Sequence, residues 1–250
     1  MKRTMQSMLT ALVVGGVAVG LPAQAADAID TAAFSLVLGG STPDQVTLEL
    51  LSATADSVHI RLDNLQASTF VLTSGQGIEV DEETVFSYLT GQVHAGYQIT
   101  SMAFNFTVSG NLDVPIYESC AGCTLVDAGL ATNEGNYGFK VAADSTTNLD
   151  TDADFSLDGM QFHTLNDVRP LTGNFSIETL FDTASNAAPL IWRQTTPLGE
   201  IDHVEASTAS FFIGNAELVF QIAPVPEPGT YGMMLTGLGL LALAARRRAN

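Results

Sequence analysis

Basic residues are scarce in this chain. Nine Lys and Arg stand against 27 Asp and Glu in 250 residues, a formal net charge of -18. Lys2 and Arg3 sit at one end and Arg246, Arg247 and Arg248 at the other, so no basic patch is left to meet a phosphate backbone, and nucleic acid is excluded as a partner. Cysteine is nearly absent, with Cys120 and Cys123 alone, and Trp192 is the single tryptophan. No GxSxG, HExxH or Gly-rich phosphate loop occurs, so the usual signatures of serine hydrolases, zinc hydrolases and nucleotide enzymes are missing. Nor does the interior offer an amphipathic helix of about twelve residues; Asp81 to Leu89 supplies a turn or two at most.

The apolar weight lies at the two ends. Met1-Lys2-Arg3 is followed by an uncharged stretch from Leu9 to Leu21, then Pro22 and Ala23-Gln24-Ala25. A charged start, a short apolar core and small residues at -3 and -1 are what a secretory signal peptidase accepts, so cleavage is expected between Ala25 and Ala26. The alternative is an uncleaved anchor helix, for which the run is short against a bilayer of about 30 Å.

At the other end Val225-Pro226-Glu227-Pro228-Gly229-Thr230 precedes an uncharged run from Tyr231 to Ala245 and the cluster Arg246-Arg247-Arg248. A helix over 230–245 is long enough for a thin or strained span. The arginines would hold its far end in the cytoplasm and leave the body outside. Two prolines stop the helix from extending upstream, which leaves an extended, accessible peptide before Gly229. A plain tail anchor would need only the helix and the arginines. The order Pro226-Glu227-Pro228, short apolar helix, arginine cluster closely resembles the PEP-CTERM sorting signal of Gram-negative bacteria that make exopolysaccharide. The resemblance covers residues 224–250, and it implies recognition by a membrane-embedded exosortase after export by the general secretion machinery. It also implies an inner-membrane intermediate and delivery to the cell envelope or extracellular matrix. It implies nothing direct about the body, because sorting tails are attached to unrelated domains.

Between signal peptide (1–25) and sorting tail (224–250) lies a body of residues 26–223. Its basic residues are Arg61, Lys140, Arg169 and Arg193, so nearly all the acidity belongs to the exported part. Here the period is two: Val58-His59-Ile60-Arg61-Leu62, Phe104-Asn105-Phe106-Thr107-Val108, and Phe175, Ile177 and Thr179 alternate with polar residues, and Leu218 to Ile222 adds a further run. Turn signals stand at Gly39-Gly40, Asp63-Asn64, Ser74-Gly75, Ser109-Gly110-Asn111 and Gly135-Asn136. The expected fold is therefore all-β, a single antiparallel, jelly-roll-like β-sandwich, with a signal helix before it and a transmembrane helix after it. A β-helix would need a regular short repeat, and none is present.

Two constellations invite chemistry. In an oxidising compartment Cys120-Ala121-Gly122-Cys123 reads as a local disulfide stapling a loop. A redox dithiol would want a cation or helix N-terminus nearby, whereas Glu118 and Asp127 flank this pair. Asp150, Asp152 and Asp154 alternate in an acidic loop, a candidate for an irregular Ca²⁺ site against the alternative of a solvated loop. An EF-hand is disfavoured, because Phe155 and Gln161 stand where Gly and Glu belong. The run Glu79 to Glu83 reads as a solvated loop or helix start. His59, His94, His163 and His203 show no metal-ligand spacing, and His59 is expected to face solvent. Trp192 is expected in the core, or else as part of a sugar-stacking platform with Tyr88, Tyr97, Tyr117 and Tyr137.

Two functions follow. The first is a non-enzymatic exported envelope or matrix protein linked to biofilm or exopolysaccharide, with no catalytic residues assigned. The alternative is a secreted carbohydrate-binding module or polysaccharide-active enzyme, favoured by a sheet face with carboxylates and exposed aromatics. The body is expected to fold alone as an all-β domain, and far-UV circular dichroism of residues 26–223 dominated by helix would refute this. Non-reducing mass mapping is expected to join Cys120 to Cys123, and two free thiols in freshly exported protein would refute the staple.

Overall fold

The computed structural model describes residues 26–42, 46–73, 75–225, 233 and 235–238. Ala25 of the expected signal cleavage site, Ser74, Pro226, Glu227, Pro228, Arg246, Arg247 and Arg248 lie outside the described residues. Among the described residues no helix is long and apolar enough to cross a membrane.

The alternating runs become long antiparallel strands in two packed sheets. One sheet is ordered β1-β2-β6-β11-β8-β9, with β12 also on β11. These strands are β1 (Ala28–Asp30), β2 (Phe34–Thr42), β6 (Glu79–Val93), β11 (Asn174–Thr196), β8 (Cys123–Ala143), β9 (Thr146–Phe155) and β12 (Gly199–Glu205). The other is ordered β10-β7-β13-β4-β3, with β5 also on β13. It contains β10 (Gly159–Asp167), β7 (Tyr97–Asp113), β13 (Thr208–Pro224), β4 (Ser57–Asp63), β3 (Thr47–Ala53) and β5 (Ala67–Leu72). Side chains alternate across a strand, so Val58, Ile60 and Leu62 of β4 and Phe104, Phe106 and Val108 of β7 point inward together. From the facing sheet come Phe139 and Val141 of β8 and Phe175, Ile177 and Phe181 of β11. Phe104 is the hub between the layers, with ring centroids 5.3 Å from Phe106, 5.7 Å from Phe139 and 5.5 Å from Phe181. In β13 a bulge between Gly214 and Glu217 switches the inward set from Phe211 and Ile213 to Leu218, Phe220 and Ile222.

Several expected loops are strand. Gly39-Gly40 lies in β2 at a bulge, Ser109-Gly110-Asn111 lies in β7, and Gly135-Asn136 lies in β8. At Gly110 the missing side chain serves close packing: a Cβ there would sit 2.2 Å from the Leu157 carbonyl oxygen. Asp63-Asn64 is a true turn, with Asn64 at φ 64°. The acidic run is strand as well, neither loop nor helix, and its carboxylates have structural work. Asp81 accepts the backbone N–H of Phe70 at 2.9 Å and Glu83 accepts that of Ser68, covering donors of β5.

The two sheets are sewn together along polar lines. Buried Asn133 of β8 donates its amide to the carbonyls of Leu157 (2.9 Å) and Ser210 (2.8 Å) and accepts the Leu157 N–H at 2.7 Å. One side chain thereby ties β8, the β9–β10 connection and β13. Buried Asp167, at the end of β10, holds Arg169, whose guanidinium also donates to the Val141 carbonyl of β8 at 2.9 Å.

The expected calcium loop is the third seam. Asp150, Asp152 and Asp154 lie on edge strand β9 and not in a loop, which corrects that reading. Asp150 accepts the Asn166 N–H of β10 at 2.8 Å. The buried His163 ring lies between the other two: Nδ1 bonds Asp152 at 2.8 Å, while Nε2 is 2.8 Å from Asp154 without an aligned hydrogen bond. Asp154 also accepts the Tyr137 hydroxyl at 2.8 Å, and Phe106 stacks under His163 at 5.4 Å. Among the described residues no group of three or more His, Cys, Asp or Glu is placed to hold a metal ion. The alternation that resembled a cation loop is the strand period, which sends three carboxylates to one side to close the sandwich.

Asn133→Ala is expected to leave buried partners unpaired at a cost of about 3 kcal/mol, lowering Tm by roughly 10 °C for a domain of this size. Gly110→Ala, pressed on backbone, is expected to cost about 1–3 kcal/mol. Thermal melts of the two variants check both. Burial and Asp154 raise the Tyr137 pKa far above its ordinary 10.0, so this stabilisation is complete below that value and lost as pH rises above it. The His163 hydrogen bond lowers the Asp152 pKa from 3.8, so that contribution is complete above this value and lost as pH falls below it. Tyr137→Phe is expected to flatten the alkaline limb of a Tm-against-pH curve and Asp152→Asn the acid limb; unchanged limbs would refute these assignments.

Candidate functional site

With the core and seams closed, the broadest organised surface is the outer face of the β2-β6-β11-β8-β9 sheet. Its outward residues form ordered rows across paired strands. Tyr88, Glu178, Lys140 and Leu149 lie side by side on β6, β11, β8 and β9. The next row is Phe86, Leu180, Gly138 and Thr151, and beyond it come Thr84, Asp182, Asn136 and Ala153. Tyr88 is 37% exposed, Phe86 44%, Leu180 42% and Leu149 60%, so an apolar strip crosses a face otherwise lined by hydroxyl, amide and charged groups.

A depression of about 790 Å³ lies over β8, β9 and β11, bounded by Asn136, Lys140, Leu149, Thr151, Asp152 and Leu180, with Gly138 in its lining. A second, of about 540 Å³, lies toward β2 between Val37, Tyr88, Thr90 and Asn174. A Cβ at Gly138 would meet only the Leu180 Cβ at 3.5 Å, an ordinary contact. Packing does not require glycine there, and its effect is to leave the floor open. Gly39, by contrast, makes room for the Tyr88 ring, which a Cβ would approach to 3.0 Å.

The electrostatics of the face are mixed and locally balanced. Lys140 Nζ donates to both oxygens of Glu178, at 2.9 and 3.1 Å. Asp182 accepts the Thr84 hydroxyl at 2.8 Å. Glu82 and Glu134 continue the face beyond that row, flanking Ala184. The other body cations are engaged too: Arg61 with Glu49, Arg169 with Asp167, and Arg193 with Asp202 at 2.6 Å and Glu200 at 3.3 Å. The arrangement can stack or cover an apolar ring face and offer several donors and acceptors beside it, while carboxylates repel a polyanion.

The aromatic platform expected around Trp192 does not form. Tyr137 is buried in the core, and Trp192 is half-buried rather than core, stacked on His203 at 3.8 Å with its Nε1 donating to Glu205 at 3.2 Å. Trp192 is fourteen positions from Glu178 along β11, roughly 45 Å from the Tyr88 row. His59 stands on the outward side of β4, hydrogen-bonded to Glu217 at 2.6 Å. Cys120 and Cys123 are disulfide-bonded in the turn entering β8, away from this face. Phe86, Leu180, Leu149 and Gly138 were not singled out in the sequence. The signal for Phe86 is present in Thr84-Val85-Phe86-Ser87-Tyr88, where an inward Val85 alternates with aromatics on the side that should be polar.

Comparison with known proteins bears on the two parts unequally. No curated protein matches the chain. Among solved structures, TmCBM61 in complex with β-1,4-galactotriose is 10% identical over 76% of this chain and 82% of that one, with a TM-score of 0.24. The family 11 carbohydrate-binding module from Clostridium thermocellum, in complex with a β-1,3-1,4-mixed-linked tetrasaccharide, is 8% identical over 66% and 96%, with a TM-score of 0.23. Similarities this low transfer no site. The tail is different: residues 224–248 match the PEP-CTERM protein-sorting motif. The C-terminal tail of this chain thus carries a PEP-CTERM protein-sorting motif.

Proposed function

We propose that this is a non-catalytic protein of the envelope or extracellular matrix that contacts exopolysaccharide through the outer face of its β2-β6-β11-β8-β9 sheet. On this reading the first 25 residues are removed after Ala25, the body is 26–223, and the tail acts through Pro226-Glu227-Pro228, a membrane helix over 230–245 and cytoplasmic Arg246, Arg247 and Arg248. The observation that carries the surface assignment is the apolar strip of Tyr88, Phe86, Leu180 and Leu149 beside a groove whose floor is left bare by Gly138. Sugar rings present apolar faces and hydroxyl edges, and this row pattern offers a match for each. The repulsion of polyanions points to a neutral or amino-bearing glycan. A carbohydrate-binding module or polysaccharide-active enzyme on the same delivery route is the second reading, favoured by the same groove.

The processed protein is expected to bind neutral or amino-bearing glycans on an array and to release no reducing sugar from them. Gly138→Val fills the floor without touching the core, so it is expected to weaken binding at least about tenfold while leaving Tm within a few degrees. Tyr88→Ala is expected to act in the same direction by removing a stacking ring. Binding indifferent to both substitutions would refute the surface, and hydrolysis of any glycan would replace the first reading with an enzyme.

A further inference from the structure

The sorting motif starts inside the folded sandwich. Pro224, the first residue of the matched motif, is still paired with Tyr97 as the last residue of β13, and the Val225 N–H donates to the Gly96 carbonyl at 2.8 Å. A residue spans at most about 3.6 Å of chain, so Pro226 to Pro228 lie within roughly 11 Å of this end of the body by covalent geometry alone. No linker separates the folded domain from the peptide on which the sorting enzyme acts. Whatever holds that peptide must meet the end of the sandwich formed by the segments 31–33, 54–56, 94–96, 144–145 and 168–173.

The chemistry of this end favours a protein over a lipid surface. Asp30, Asp56 and Asp144 are exposed on it, and exposed Val168 adds an apolar contact. His94 lies 3.6 Å from Asp30, and the nearby Arg169 is consumed by buried Asp167. An acidic end is repelled by anionic lipid headgroups, whereas it complements a basic protein surface.

We propose that this end of the sandwich docks on the sorting enzyme during processing, so that the enzyme reads the folded body together with the tail. The proposal rests on the exosortase reading of the tail. Because the junction is short, the docking contact is intramolecular once the tail is bound, and a flexible spacer dilutes it.

The test uses the full chain in a host that contains the cognate sorting enzyme, with processing followed by pulse-chase and intact mass. A Gly/Ser spacer of about fifteen residues after Val225 adds roughly 20 Å of flexible reach and leaves the body sequence intact. It is expected to slow processing about tenfold; slowing of less than about threefold, or faster processing, overturns the docking. Asp30→Lys with Asp56→Lys and Asp144→Lys is expected to slow the spacerless chain and to have no further effect in the spacer chain, and equal slowing in both overturns it. Sedimentation of the released body with phosphatidylcholine vesicles would assign the end to the membrane instead and also overturn it. Replacement of Pro226, Glu227 and Pro228 by Ala is the separate control: processing like the parent would defeat the exosortase reading itself.

Discussion

The carboxamide of Asn133 is the contact on which the closed sandwich most depends. Its three hydrogen bonds join β8 of one sheet, the chain crossing from β9 to β10, and β13 of the other sheet. The Leu157 N–H and carbonyl are buried and the Ser210 carbonyl is part-buried, so the amide satisfies backbone groups largely cut off from water. The crossing it fixes passes over Gly110, where no side chain fits, and it delivers β9 and β10 as facing edges of opposite sheets. Asp150, Asp152, Asp154, His163 and Asn166 can then meet across that edge. The neighbouring Asp167–Arg169 pair closes the far end of the same seam, with Arg169 reaching back to β8.

A chain so short of cations must place its carboxylates with care. Arg61, Lys140, Arg169 and Arg193 are all paired, leaving most acidic side chains to accept from backbone amides, hydroxyls, a histidine or water. The structure uses this excess at exposed edges. Asp81 and Glu83 occupy donors of β5, and the β9 carboxylates line the opposite edge. Free strand edges invite pairing with other chains, and inward-leaning charge is a standard deterrent. The same carboxylates that lower intrinsic stability through self-repulsion also oppose edge-to-edge aggregation.

The legibility of the sequence follows the strength of the period. Val58 to Leu62, Phe104 to Val108, Phe175 to Thr179 and Leu218 to Ile222 are strands with the inward residues expected, because two-residue alternation has one structural meaning over such lengths. Glycine misled where it served packing instead of turning: Gly110 and Gly135 lie within strands of 17 and 21 residues, longer than usual for globular sheets. The acidic run from Glu79 was opaque for another reason, since the donors it covers are on β5 and β5 is brought near only by tertiary folding. The triplet Asp150, Asp152, Asp154 is a real regularity whose setting the sequence leaves open, because a calcium loop and a strand edge both present carboxylates at alternate positions; it lies on strand β9. The outer-face groove was hidden because its rows combine residues from strands far apart in sequence, and Gly138 acquires meaning only beside Leu180 and Thr151.

The end of β13 and the outer-face rows lie along one axis of the fold. β6, β8 and β11 run lengthwise from the end at which β13 finishes, where Val93 donates to Gly173 and Val225 donates to Gly96. The row at Gln92 and Asn174 is nearest the tail, the Tyr88 row is four residues further along β11, and the Ala184 row is ten residues along it, roughly 33 Å from that end. These rows therefore lie roughly 13 to 33 Å from the end at which the chain leaves β13. The placement of the last strand thus allows the sorting signal to be joined without a linker while leaving the broad sheet face free.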